Sequence, residues 1–233
     1  MDRNRRAGIT TGALFIGATA AGLLTLPTQH VLAAPDCLSR IAGNEPRVLF
    51  TAFLTLVMGW CGAGVGISMY PVLREHGHGL ALGAAGFRIM EGIFHSLGGA
   101  CLFFLTVASR ELVSTGPSGA TQIQNIGALL LEGRSWMVGV PGVFSWCIGA
   151  FIYYALFYKA RLVPRWLSVW GLAGLTLAAA CHMLLLFRLV GDLSPVQTTL
   201  DLPIALQEMV LAVWLIARGF NPSASSFPRK RAA

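Results

Sequence analysis

The sequence predicts an all-α fold: a polytopic membrane bundle of six transmembrane helices with both termini in the cytoplasm. Three observations predict it. Of 233 residues, 55% are hydrophobic and only 12% charged, and the mean hydropathy is +0.66, values of a membrane chain rather than a globular one. Six apolar runs of about 20 residues can each cross a hydrocarbon core of about 30 Å at about 1.5 Å per residue. The basic residues, which give a formal net charge of +7, sit in the connections between the runs, where they report topology. No basic stripe carries interleaved aromatic residues, so nucleic acid is excluded as a partner.

The first span covers residues 7–26, after a polar start with Arg3, Arg5 and Arg6 and before Pro27. Gly8-x-x-x-Gly12 gives it a helix-packing face. A competing reading makes this run a signal peptide cleaved after Ala33, which leaves five spans and an external N-terminus. Residues 28–46 read as a polar connection holding His30, Cys37, Arg40 and Glu45. The second span covers 48–70 and ends at Pro71. Its Gly59, Gly62, Ala63 and Gly66 let a neighbouring backbone approach closely. In the loop 74–79, His76 and His78 form an H-x-H pair with no Cys or Asp to complete a coordination set locally, and a solvated, Gly-rich turn is expected.

The third span covers 82–107, with Gly92, Ser96 and Ala100 repeating every four residues. Residues 110–135 form the longest connection, opening with Gly116-Pro117-Ser118-Gly119. Its stretch 123–131 is apolar enough for a short helix on the membrane surface. The fourth span covers 136–158 and closes on Tyr153, Tyr154, Phe157 and Tyr158 before Lys159, the pattern of an interfacial aromatic belt with a basic anchor. Pro164 leads into the fifth span, 166–190, with Trp166 and Trp170 as anchors, Gly171, Gly174 and Ala178 on one face, and His182. The sixth span covers 202–220, with Pro203 in its first turn and Gln207-Glu208 well inside it. Residues 1–220 thus form one transmembrane domain. Residues 221–233, rich in Ser and Pro and closing on Arg229-Lys230-Arg231, form a basic cytoplasmic tail expected to be disordered.

Basic residues fix the orientation. One side collects Arg3, Arg5, Arg6, Arg74, Lys159, Arg161, Arg165, Arg218, Arg229, Lys230 and Arg231. The other has Arg40, Arg47, Arg110, Arg134 and Arg188. The richer side is cytoplasmic, so the chain belongs in the cell inner (cytoplasmic) membrane. Cys37, Cys61, Cys101, Cys147 and Cys181 show no C-x-x-C spacing. Four of them fall inside apolar runs, as small packing residues do.

The candidate site is a set of charges inside the spans. Arg88, Glu91 and His95 are spaced i, i+3 and i+7 and share one helix face. Ionisable groups within a bilayer are costly and mark a site or an obligatory internal contact. At about 1.5 Å per residue, Glu91 lies roughly 13 Å from the cytoplasmic end of its span and Glu208 roughly 16 Å. The two carboxylates are therefore expected near one level, with Arg88 a turn closer to the cytoplasm. The leading reading is a structural clamp pinning the third span to the sixth. A second is a polar site for a small ligand or ion, or for its passage.

The rival class is an intramembrane enzyme, using a metal held by Glu91, His95 and Glu208 or a haem between His95 and His182. No H-E-x-x-H, nucleophile elbow, P-loop or dinucleotide fingerprint accompanies either version. Neither a metal nor a cofactor is assigned. The partners expected are the lipid bilayer, a small ligand or ion at the polar centre, and another membrane protein.

The stretch Arg161-Leu162-Val163-Pro164-Arg165-Trp166-Leu167-Ser168-Val169-Trp170-Gly171 resembles a signature of the bacterial membrane family called domain of unknown function 4386, and Arg161, Pro164, Arg165 and Trp166 stand at its start. Residues 202–220, from Leu202-Pro203-Ile204 through Gln207-Glu208 to Arg218-Gly219-Phe220, resemble the same family. So do Tyr70-Pro71-Val72-Leu73, Ala81-Leu82-Gly83, Phe87-Arg88-Ile89-Met90-Glu91 and the opening Arg6-Ala7-Gly8. The resemblance implies an uncleaved six-helix integral membrane protein and no particular reaction. Arg88, Glu91 and Glu208 fall within the matching stretches, whereas His95 and His182 do not.

Overall fold

A computed structural model describes residues 3–115, 119–192 and 194–221 of the chain. The expected tail lies outside them from residue 222 onward, as do Gly116, Pro117 and Ser118 of the longest connection. The described chain is helical: α1 (Arg3–Leu32), α2 (Cys37–Leu73), α3 (His78–Thr115), α4 (Ala120–Met137), a π-helical turn (Val138–Gly142), α5 (Val143–Ala160), α6 (Arg165–Leu186) and α7 (Pro195–Ala217). With Ala120–Ala160 counted as one continuous run, six helices are long and apolar enough to cross a membrane.

The helices run further than the sequence reading allowed, for local reasons. Pro27 and Pro71 lie inside α1 and α2 rather than ending them. A proline removes one backbone hydrogen bond, and in a packed membrane helix neighbouring side chains and backbone re-satisfy the freed groups. Beside Pro27, the Thr28 hydroxyl lies 2.7 Å from that of Thr51, a side-chain contact that ties α1 to α2 at this point. The supposed polar connection is largely helix, since α2 starts at Cys37 and bends at Asn44 (φ −129°, ψ 17°), two residues before Pro46. The expected surface helix at 123–131 is the middle of α4, which continues into α5 through the π-helical turn. Pro141 stands in that turn. It offers no N–H to the Met137 carbonyl, and the turn widens there. At the start of α7, the Ser194 hydroxyl accepts from the Gln197 N–H at 3.2 Å with proline in the first turn, a standard N-terminal cap.

Helix contacts close a ring. α1 packs on α2, α2 on α3, α3 on α5, α5 on α6, α6 on α7, and α7 returns to α1, while α4 lies against α3. The main apolar core fills the ring, with Phe15, Met69, Tyr153, Tyr154, Phe157 and Leu211 among its buried members. Tyr153, Tyr154 and Phe157 are fully buried, which corrects their assignment to an interfacial belt. Tyr158 is the partly exposed one, with the Arg165 guanidinium 5.2 Å from its ring centre.

A second, smaller core joins the far end of α1, the start of α2, the end of α3 and α4, through Leu32, Leu38, Ile41, Val48, Leu102 and Leu105. With 38 residues, α3 is about 57 Å long, well beyond the roughly 30 Å a hydrocarbon core requires. The excess length serves this second core. The opposite end gathers the basic residues: Arg3 pairs with Glu75, and the Asn221 N–H donates to the Leu162 carbonyl at 2.8 Å. The loop between α2 and α3 is packed rather than fully solvated, with His76 buried and His78 Nε2 3.2 Å from the Tyr70 hydroxyl.

Candidate functional site

Glycine on α2 makes the polar centre. A Cβ on Gly59 would stand 2.8 Å from the Gly92 carbonyl, and one on Gly92 would stand 2.7 Å from the Gly59 carbonyl. Two turns along, a Cβ on Gly66 would meet the Arg88 Cβ at 2.7 Å, and one on Gly62 would crowd the Arg88 and Glu91 head groups at 3.2–3.3 Å. The small-residue face of α2 is thus the seat of the charged face of α3. On that seat the Arg88 Nε donates to the Gly62 carbonyl at 3.1 Å, and Arg88 Nη1 lies 2.9 Å from Glu91 Oε2. Arg88 is 3% exposed. His95 continues the face, with Nδ1 3.0 Å from the Glu91 carbonyl.

Across the ring, α5 and α7 bring further polar groups. The Trp146 indole N–H donates to Glu208 Oε1 at 3.2 Å. The Tyr154 hydroxyl donates to Gln207 Oε1 at 2.5 Å, and Gln207 Nε2 donates to the Leu167 carbonyl of α6 at 3.0 Å. Arg88 is within electrostatic range of Glu91, Tyr153, Tyr154 and Glu208. Its ion pair is with Glu91, and among the described residues no Arg88–Glu208 pair comes within 4 Å. The joint expected between the third and sixth spans is therefore not a direct one. Arg88 ties α3 to α2, while Glu208 is held by α5. Trp146 and Tyr154 were not singled out as polar partners in the sequence, where an apolar run hides their N–H and O–H.

The turn between α5 and α6 explains the signature stretch locally. Arg161 takes a left-handed conformation (φ 56°) at the end of α5, which lets the Leu162 N–H reach back to the Phe157 carbonyl at 3.1 Å, as in a helix C-terminal motif. Pro164 stands just before α6 (φ −55°, ψ 136°), and Trp166 stacks with Trp170 at 6.3 Å between ring centres. Leu162 and Val163 are buried beneath.

His95 lies on α3 and His182 on α6, and each has Nδ1 3.0 Å from the carbonyl four residues earlier. Among the described residues the metal-ligand side chains that gather are Cys181, His182 and Asp201, rather than Glu91, His95 and Glu208. The principal cavities, of about 180 to 400 Å³, are lined by residues other than Arg88, Glu91 and Glu208.

Six apolar spans closed into a ring around a buried Arg–Glu pair define a polytopic integral membrane protein of unknown activity. The profile of the family described as domain of unknown function (DUF4386) matches residues 10–219, and the chain belongs to that family. No curated protein and no solved structure matches the chain.

Proposed function

We propose that the Arg88–Glu91 pair is an internal clamp that sets the register of α3 on α2, and that Glu208 and Gln207 extend the polar centre to α5, α6 and α7. The observation that carries this reading is the fit between the glycine face and the arginine: Gly66 lies flush with the Arg88 Cβ while the Gly62 carbonyl receives its Nε–H. A buried charge is costly when left alone and tolerable when paired. Arg88→Met should therefore lower the thermal midpoint of the full-length protein in detergent more than Arg88→Met with Glu91→Met does. A single variant as stable as wild type, or a double variant less stable than the single, would sink the clamp.

A second reading rests on charge balance. Arg88 is ion-paired with Glu91, and Glu208 on α7 has the Trp146 N–H rather than a cation against it, which leaves the three groups one negative charge in excess when all are ionised. A proton or a small cation is the partner such a centre accepts. Glu208→Gln separates the readings. Its amide keeps an oxygen for the Trp146 N–H, so it should lower the thermal midpoint less than Arg88→Met does and abolish any stoichiometric cation binding measured by calorimetry in nanodiscs.

For the setting, we propose one functional unit over residues 1–220, placed in a bacterial inner membrane with both termini cytoplasmic. The gathering of Arg3, Arg5, Arg6, Arg74, Lys159, Arg161, Arg165 and Arg218 at one end supports that orientation, by the positive-inside rule.

A further inference from the structure

Away from the polar centre, the last turns of α6 meet the second turn of α7. Cys181 and His182 come from α6 and Asp201 from α7, and one ligand atom of each lies within 4.8 Å of the others. Cys181 is fully buried and His182 is 5% exposed. Asp201 Oδ1 is buried without a hydrogen bond, 3.8 Å from His182 Nδ1. The Gln197 side chain hydrogen-bonds the same carboxyl group, and the buried oxygen left over is open to a positive partner.

We propose that Cys181, His182 and Asp201 form a site for a borderline-soft divalent transition metal of the Zn²⁺ type. The donor set selects that class. A thiolate and an imidazole suit zinc and its neighbours, whereas Mg²⁺ and Ca²⁺ take oxygen ligands. Charge selects it as well. One thiolate, one carboxylate and a neutral imidazole cancel a dication, and a neutral centre is the one that apolar surroundings tolerate. On binding, the Cys181 thiol gives its proton to solvent and the thiolate takes the metal.

Local geometry prepares the histidine. His182 Nδ1 lies 3.8 Å from Asp201 Oδ1 and 3.0 Å from the Ala178 carbonyl; a metal taken by Nδ1 replaces the Ala178 contact, and the ring proton then sits on Nε2. Tetrahedral bonds of about 2.0–2.3 Å place donors roughly 3.5 Å apart. The set must therefore close by about an ångström, and the Asp201 side chain, 30% exposed, has the freedom to do it. Access comes from a cavity of about 180 Å³ lined by His182 with Gln29, Arg134, Asp192 and Gln197. That cavity has room for a water or small anion as fourth ligand.

The test uses the full chain without a polyhistidine tag, in detergent, titrated with Co²⁺ as a spectroscopic stand-in for Zn²⁺. One equivalent should give a thiolate-to-cobalt absorption band in the near ultraviolet, removed by added Zn²⁺. Cys181→Ser should abolish the band. His182→Gln and Asp201→Asn should each weaken Co²⁺ binding at least about tenfold, while Cys101→Ser leaves it unchanged. The wild-type spectrum is decisive in itself, since it needs no variant to fold. A folded wild type with no such band overturns the site, as does a band that survives Cys181→Ser or an Asp201→Asn variant that binds like wild type.

Discussion

At the scale of single residues, Gln207 joins three helices. It accepts from the Tyr154 hydroxyl at 2.5 Å and donates to the Leu167 carbonyl at 3.0 Å, and it is fully buried. Removing it leaves the Tyr154 hydroxyl without its acceptor in an apolar core, a cost of about 1–3 kcal/mol. Gln207→Leu should therefore destabilise the bundle by that amount. Tyr154→Phe added to Gln207→Leu should restore part of the loss, because it removes the orphaned hydroxyl. Unfolding midpoints of the two variants in the same detergent check this, and a double variant no more stable than Gln207→Leu alone would refute it. Glu208 is held differently, by one indole N–H, that of Trp146 at 3.2 Å.

At the scale of elements, the α2–α3 contact determines how the site is built. Lipid tails are as apolar as leucine, so membrane helices associate through close packing and hydrogen bonds rather than by hydrophobic exclusion. Gly59 and Gly92 meet backbone to backbone, each carbonyl within 2.8 Å of where the other's Cβ would stand. Gly59→Val cannot be relieved by a side-chain rotation, since the obstacle is a carbonyl oxygen. It should cost on the order of 1–3 kcal/mol by overpacking and push Arg88 off Gly62. By contrast, Gly86→Val meets open space and should change stability by no more than about 0.5 kcal/mol. The pair of thermal melts decides it, and equal effects would show that the Gly59–Gly92 approach does not hold α2 on α3. The π-helical turn at Pro141 belongs to this scale too: a proline without an N–H lets one helix pass from the α3-facing α4 to the ring-forming α5 without a break.

At the scale of the molecule, the ring needs α1 to close. A Cβ on Gly12 would lie 2.5 Å from the Ala212 carbonyl, and one on Gly8 3.0 Å from the Leu215 carbonyl and Gly219 Cα, so α1 is fitted against α7 at van der Waals distance. Removal of residues 1–33 would strip that face and expose the small residues of α7. The mature protein should therefore keep its N-terminus. The intact mass should include residues before Ala33, and a cysteine or epitope placed after Ala233 should be labelled only once the inner face is opened. An N-terminus beginning after Ala33, or a C-terminus reachable from outside sealed cells, would reverse the assigned topology.

The sequence by itself determined the class, the number of spans and the family. Each follows from properties local to a segment: the apolar length a bilayer demands, and the signature residues from Arg161 to Gly171. It also brought forward Arg88, Glu91 and Glu208, because a charge within an apolar run is visible without coordinates. Only the tertiary structure decided their partners. The glycines at 59, 62 and 66 and the arginine at 88 both stood out in the chain, yet that the first seats the second depends on the rotation of two helices about their axes. Likewise the grouping of Cys181 with His182 and Asp201 joins donors from two helices, where no ligand spacing along the chain could announce it. Helix ends escaped for a related reason: Pro27 and Pro71 break an isolated helix in water, but in this bundle packed neighbours carry the helix past them.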